Sequence, residues 1–359
     1  MLEIHREYLR TAPYSLSREE KRLQFTKYMN DLTKYHSENC PEYSLMLKGL
    51  NFSTRRNYEL SELPFLPVGL FKEFDLISVP REKIVKTMTS SGTTGQQVSK
   101  IFLNSETSRA QSRCLSHIIS SFIGSKRCPM VILDTELVKK DPRLFSARGA
   151  GIIGFSMFGR DVFFALDQDM NLRVEELQNW IADHRSSRIV MFGYTYIVWQ
   201  FFQQVLQKQR ICLDIPSGDL FHIGGWKKLQ ERSVSAEKFR QDLKQVCGGI
   251  HVRDYYGMVE QLGSVFVECE YGHKHCSIFS DIITRRAEDF SQCDFGEVGI
   301  IELMSVLPSS YPGHIILTED EGRILGEDDC PCGRKGKYFE ILGRIKQAEI
   351  RGCSDTYGQ

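Results

Sequence analysis

The chain has no net charge to offer: Lys plus Arg and Asp plus Glu both total 46 among its 359 residues. No overall electrostatic bias therefore draws it toward nucleic acid or an anionic membrane. It has no apolar window near the roughly 20 residues that span a bilayer. Its opening, Met1-Leu-Glu-Ile-His-Arg-Glu, lacks the basic and apolar regions of a secretory leader. It has no internal repeat, low-complexity tract or obvious linker. Its eleven cysteines, an odd number scattered along the chain, argue against a disulfide framework and for reduced thiols. These absences predict a cytoplasmic globular protein with a small-molecule partner, in which any clustered cysteines point to metal or catalysis.

What is present is ordinary core material, 41% hydrophobic and 26% charged, sufficient for one large domain or two smaller ones. Ser17 and Glu20 have capping-box spacing, and Phe25, Tyr28, Met29 and Leu32 recur at helical intervals, so the N-terminal region opens with amphipathic helices. Met130 to Leu133 and Ile189 to Phe192 are short apolar runs that alternate with helical patterns such as Phe239, Leu243 and Val246, which predicts α/β layering. From about Val298 the runs are β-like, as in Ile300 to Leu303 and His314 to Leu317.

The sharpest local feature is Thr89-Ser90-Ser91-Gly92-Thr93-Thr94-Gly95-Gln96. Glycines let backbone N–H groups approach an anion, and Ser or Thr hydroxyls add rotatable donors, so such a loop can wrap a phosphate. Composition alone favours a flexible Ser/Thr/Gly surface loop over a phosphate loop. It is not a P-loop, since no Lys follows Gly95 directly. A second feature is the thiol pair of Cys330-Pro331-Cys332, with Cys269 and His275 about 55 residues earlier and His273 and Cys276 beside them. Thiolates with imidazole suit a closed tetrahedral Zn²⁺ site, although the spacing alone also fits isolated buried thiols.

The order of residues in Ser-Ser-Gly-Thr-Thr-Gly resembles the phosphate-binding signature of the adenylate-forming superfamily, with Gln97 and Val98 in place of the usual Pro-Lys ending. Further resemblances follow in the family's order. Tyr255-Tyr256-Gly257-Met258-Val259-Glu260 resembles the motif whose ring stacks on adenine and whose carboxylate helps hold Mg²⁺ on ATP, with Val259 replacing a threonine. His222-Ile223-Gly224-Gly225-Trp226-Lys227 resembles the segment beside the adenine. Thr318-Glu319-Asp320 resembles the Thr-Gly-Asp motif whose aspartate takes the ribose hydroxyls. Leu342-Gly343-Arg344-Ile345-Lys346 resembles the hinge before a mobile subdomain.

The resemblance implies an α/β fold of the adenylate-forming type: a large domain over 1–342 with a helical lead-in to about 85, an α/β core and a β-rich part from about 298. A hinge remnant and mobile arm over 343–359 follow, with the lid subdomain essentially absent. It implies ATP and Mg²⁺ as cofactors, with Ser90, Ser91, Gly92, Thr93, Thr94, Gly95, Gly224, Gly225, Tyr256, Gly257, Glu260, Asp320 and Arg344 on the nucleotide and Thr93, Glu260 and Lys346 in catalysis. The related phenylacetate-CoA ligases often carry a Cys/His set where Cys269, His275, Cys330 and Cys332 stand here, which implies structural Zn²⁺. The aromatics of Phe192-Gly193-Tyr194-Thr195-Tyr196 line the acyl pocket on the same analogy, or else pack the core.

Within the superfamily, the short layout, Pro64-Phe65-Leu66-Pro67-Val68-Gly69-Leu70-Phe71-Lys72 and the closing Arg351-Gly352-Cys353-Ser354 resemble the LuxE acyl-protein synthetases. That likeness implies activation of a fatty acid as acyl-AMP, transfer to Cys353, and delivery to a LuxC-like acyl reductase or another acceptor protein. Cys353 follows Gly343 by ten residues, which reach roughly 33–36 Å when extended. An acyl- or aryl-CoA ligase of phenylacetate type and an inactive nucleotide-binding scaffold are the alternatives.

Overall fold

The computed structural model describes residues 8–90, 98–140, 147–226 and 233–345. Its strands are β1 (Leu66–Pro67), β2 (Ile84–Thr89), β3 (Lys100–Asn104), β4 (Cys128–Thr135), β5 (Gly159–Leu166), β6 (Ile189–Tyr194), β7 (Ile215–Ile223), β8 (Gly248–Tyr256), β9 (Phe266–Val267), β10 (Lys274–His275), β11 (Ser280–Arg285), β12 (Gly299–Ser305), β13 (Ile315–Glu327) and β14 (Lys337–Arg344). The described residues fall into two compact units: 8–90, 98–121 and 257–345 in the first, 122–140, 147–226 and 233–256 in the second.

The first unit opens on the helix Arg18–Asn39, and both halves of the predicted capping box are present at Ser17 and Glu20. Phe25, Met29 and Leu32 of that helix are buried. Lys21, on the same face, donates from Nζ to the Ser280 carbonyl at 2.8 Å and faces the Asp281 carboxylate at 3.5 Å. Apolar spacing thus chooses the face of the helix, and one buried cation fixes its position on the sheet. That sheet is antiparallel in the order β10-β14-β13-β12-β11, with β1 added parallel to β13. Strands β2 and β3 form a separate antiparallel pair, and residues 91–96 of the predicted phosphate loop lie in the sequence between them, outside the described residues.

The second unit contains the parallel array β5-β4-β6-β7-β8. Every residue of β4 and β6 is buried, as expected for inner strands of a parallel sheet, and the unbroken apolar runs read from the sequence lie inside them. The amphipathic helices Val174–Asp183 and Ala236–Cys247 bury Leu177, Ile181, Phe239, Leu243 and Val246 against this sheet. Chain order reverses between β4 and β6, and in open α/β sheets ligands bind in the crevice at the carboxyl ends of strands flanking such a switch. Among the described residues, no helix is long and apolar enough to cross a membrane.

Candidate functional site

In the first unit, the β13–β14 ladder sets Asp320 opposite Arg344. Arg344 Nε lies 3.7 Å from Asp320 Oδ1, and its Nη1 lies 4.0 Å from Glu319 Oε2. The buried Thr318 hydroxyl donates to the Ile301 carbonyl at 2.8 Å and accepts the Asp320 N–H at 3.1 Å, which fixes the backbone that presents the carboxylate. The Asp320 side chain keeps 20% exposure and Arg344 keeps 38%, so both can meet a ligand. A carboxylate beside a guanidinium offers an acceptor and donors together, the complement of a vicinal diol.

Glu260 sits on the short turn Val259–Gln261 and is 5% exposed. The turn is held by residues distant in sequence: the Tyr311 hydroxyl donates to the Glu260 carbonyl at 2.8 Å, and Gln261 Nε2 donates to the Gly313 carbonyl at 2.9 Å and that of Leu303 at 3.1 Å. Burial raises the Glu260 carboxyl above its ordinary value; the Ser99 hydroxyl and, more weakly, Arg344 oppose this, while Glu319 adds to it. Glu260 therefore lies in the same field as Glu319 and Arg344. A buried carboxylate held in this way suits a hard divalent cation such as Mg²⁺, which would relieve its desolvation. Ser90 lies beside this group, but its hydroxyl is taken up by the Ser99 N–H at 2.9 Å, and its own N–H donates to the Ser99 carbonyl at 3.1 Å. This pairing closes the base of the predicted phosphate loop. Ser91, Gly92, Thr93, Thr94, Gly95, Lys346 and Cys353 lie outside the described residues.

In the second unit, Gly224 and Gly225 follow β7, and Tyr256 ends β8 half-buried, with Gly257 next in the chain. Gly224 has φ +84°, so its backbone conformation already calls for glycine, and around Gly225 a Cβ would meet nothing within 4 Å. At the strand-order switch, buried Arg148 donates from Nε to Asp134 Oδ2 at 2.8 Å, and the Tyr194 hydroxyl donates to the Arg148 carbonyl at 3.3 Å. Phe192 is fully buried and stacks on Phe155 at 4.3 Å, with Phe221 5.2 Å from Phe155. Of the two roles open to Phe192, packing is the one it fills here.

The four cysteine and histidine donors converge within the first unit. One ligand atom from each of Cys269, His275, Cys330 and Cys332 lies within 4.8 Å of every other. Cys269 Sγ is 4.0 Å from Cys330 Sγ, and Cys332 Sγ is 3.3 Å from His275 Nε2. A tetrahedral Zn²⁺ with Zn–S of about 2.3 Å and Zn–N of about 2.0 Å requires donor separations of about 3.5–3.8 Å, which these distances bracket. Two tight turns shape the site. Gly272 and Gly333 take φ +81° and +78°, and the N–H groups of Tyr271 and Arg334 point at Cys269 and Cys332 Sγ from 3.4 and 3.5 Å. Burial pushes the Cys330 thiol up to about 12 and drops His275 to about 3. Burial thus disfavours charge at Cys330 and His275, and a bound divalent cation is what would favour thiolate ligands here. His273 lies beside the group, its Nδ1 3.3 Å from Cys330 Sγ, whereas Cys276 is buried apart from it.

Sequence reasoning missed Gln261 and Tyr311 as supports of Glu260, and the Asp134–Arg148 pair at the sheet switch. None lies in a motif. A polar residue next to the motif carboxylate, such as Gln261, was the one available signal.

Residues 2–359 match the family described as acyl-protein synthetase, LuxE. The long-chain-fatty-acid–luciferin-component ligase of Aliivibrio fischeri is 25% identical over 361 residues, covering 96% of this chain and 90% of the relative. Its counterpart from Vibrio harveyi is 22% identical over 366 residues, covering 97% and 91%. Among solved structures, an open conformation of 2-hydroxyisobutyryl-CoA ligase superposes with a TM-score of 0.73 at 15% identity, over 94% of this chain and 78% of that one. The same ligase in its postadenylation state gives 0.71 at 14%, over 96% and 72%. These likenesses show the adenylate-forming fold.

Proposed function

The chain belongs to the LuxE acyl-protein synthetase family, and from that premise we propose that it activates a long-chain fatty acid with ATP and passes the acyl group to its own Cys353. The observation that carries the nucleotide half is the opposed Asp320–Arg344 pair with the buried Glu260 carboxylate in its field. Asp320 takes the ribose hydroxyls and Arg344 orients that carboxylate. Glu260 contributes to holding the Mg²⁺ of ATP, and Thr93 with its flanking loop contacts the phosphates. Tyr256 offers its ring to adenine, with Gly224 and Gly225 leaving room at the adenine edge.

In the first half-reaction a carboxylate oxygen of the acid attacks the α-phosphorus and pyrophosphate leaves. In the second the Cys353 thiolate attacks the acyl carbonyl, the C–O bond to phosphate breaks, AMP leaves, and the thiol proton goes to solvent. Arg351, two residues earlier in the sequence, favours ionisation of that thiol. Lys346 sits at the hinge position of the motif. The thioester is then a substrate for an acyl reductase or another acceptor protein; the two relatives are named for ligating a long-chain fatty acid to a luciferin component. Cys269, His275, Cys330 and Cys332 would hold one structural Zn²⁺.

The test is incubation with ATP and labelled fatty acid, comparing wild type with Cys353→Ser. Wild type should carry label that hydroxylamine releases, and the variant should form acyl adenylate yet stay unlabelled. If the variant labels as strongly as wild type, or if added coenzyme A is acylated instead, the CoA-ligase reading that the fold neighbours share takes precedence.

A further inference from the structure

The Cys/His cluster and the Asp320–Arg344 pair occupy opposite ends of one β-hairpin. Cys330 and Cys332 lie in the turn that follows β13 and precedes β14, next to the register pair Glu327↔Lys337, and Asp320↔Arg344 is the last pair at the far end. From residue 320 to residue 327 is about 23 Å of strand at roughly 3.3 Å per residue. The cluster ties that turn to a second piece of backbone. His275 belongs to β10, which pairs with β14 through His275↔Tyr338 and Lys274↔Phe339, and Cys269 comes from the loop ahead of it. The Tyr338 ring on β14 stacks on His273 at 4.8 Å and on His275 at 5.6 Å.

The ladder between the two ends is irregular. Its register shifts twice, between Glu321 and Gly322 and between Ile324 and Gly326. Glycines leave a strand pair less well specified in register, and a slip of one residue turns every side chain to the opposite face. The end of β14 gives little correction, since Leu342 is 52% exposed and Gly343 and Arg344 are exposed too. Buried Ile324 and Phe339 hold the middle of the ladder, and the Cys/His cluster adds a second constraint on register at the turn.

We propose that the Cys269/His275/Cys330/Cys332 cluster, when it holds Zn²⁺, is a positioning device that sets the register of β13 on β14 and so aims Asp320 and Arg344 at the nucleotide. This rests on the nucleotide reading given above for those two residues, and extends it by making nucleotide affinity depend on a metal some 20 Å away along the hairpin.

The experiment compares zinc-loaded protein with the same protein stripped by a chelator, reading AMP affinity by calorimetry and amide hydrogen exchange peptide by peptide. Stripping should weaken AMP binding at least tenfold and speed exchange over 318–322 and 341–344, with protection of β4 and β6 unchanged. A second form pins the register without metal: Arg323 and Glu340 are ladder partners with side chains 42% and 34% exposed. The double variant Arg323→Cys, Glu340→Cys, oxidised while zinc-loaded and then stripped, should keep AMP affinity within about threefold of the loaded protein. Equal affinity and protection with and without zinc would overturn the proposal. So would a disulfide form that still loses AMP on stripping, or exchange that rises throughout both units. If zinc-loaded protein itself fails to bind AMP, the nucleotide reading falls, and the exchange over the hairpin still decides whether metal sets its register.

Discussion

Asp219 provides a quantitative test of how the second unit is held. It lies on β7 with no exposure and accepts from two guanidinium groups, Arg188 Nε at 2.6 Å and Arg253 Nε at 2.9 Å. The Arg253 guanidinium lies 5.0 Å from the Phe122 ring centroid and the residue is 5% exposed, whereas the Arg188 side chain keeps 37%. Asp219→Ala leaves Arg188 free to reach water and takes the carboxylate away from the buried Arg253 guanidinium. Breaking a buried pair in this way costs about 3–5 kcal/mol. For a unit of this size that corresponds to a fall in Tm of roughly 10–20 °C. All three tryptophans, Trp180, Trp199 and Trp226, belong to the second unit, so urea unfolding followed by their fluorescence reads the right part of the molecule. The double variant Asp219→Leu, Arg253→Met should recover part of the loss, because it removes the buried cation together with its carboxylate. A single-variant loss below about 1 kcal/mol, or a double variant no more stable than the single, would refute this reasoning.

Glu260→Ala should lower acid-dependent ATP–pyrophosphate exchange by roughly 10²–10³, about 2.7–4 kcal/mol, if the carboxylate acts where charge develops; exchange within threefold of wild type removes it from the site. Metal analysis of protein prepared without chelator should give about one zinc per chain, lost in Cys332→Ser; a zinc-free wild type ends the metal assignment. Burial holds His36 down to about 3 and His314 well below its ordinary value, with the rings 4.8 Å apart. Both are neutral in the fold and both take a proton in the unfolded chain below about pH 6.5, so the stability is complete above that pH. It falls as pH drops from about 6.5 toward 3, by up to ~1.4 kcal/mol per pH unit for each histidine. His36→Gln should flatten that slope in denaturant titrations, and an unchanged slope counts against the pair.

Much of the architecture is legible because it is local. The helix Arg18–Asn39 begins where Ser17 and Glu20 place it, and the unbroken apolar runs at 130–133 and 189–192 are the buried parallel strands that such runs predict. The segments proposed to bear the chemistry are local in the same way, since Glu260, Asp320 and Arg344 each stand in a short contiguous pattern. What could not be read are pairings closed by long loops. Asp219 meets Arg188 and Arg253 across three strands, and Glu260 depends on Tyr311, 51 residues away. The aromatic run at 192–196 shows the limit of pattern reading: Phe192 suits an acyl pocket by analogy, yet the facing helix supplies Phe155, and the two rings pack together. Cys-x-Cys spacing at 330–332 was ambiguous until β10 brought His275 alongside.

The most direct test of the central claim is ATP–pyrophosphate exchange by the full chain with a series of saturated fatty acids. The account predicts exchange that requires both Mg²⁺ and the acid, is strongest with a long acyl chain, and is lost in Thr93→Ala and Glu260→Ala. Exchange absent with every acid tested, or unchanged in both variants, would contradict it.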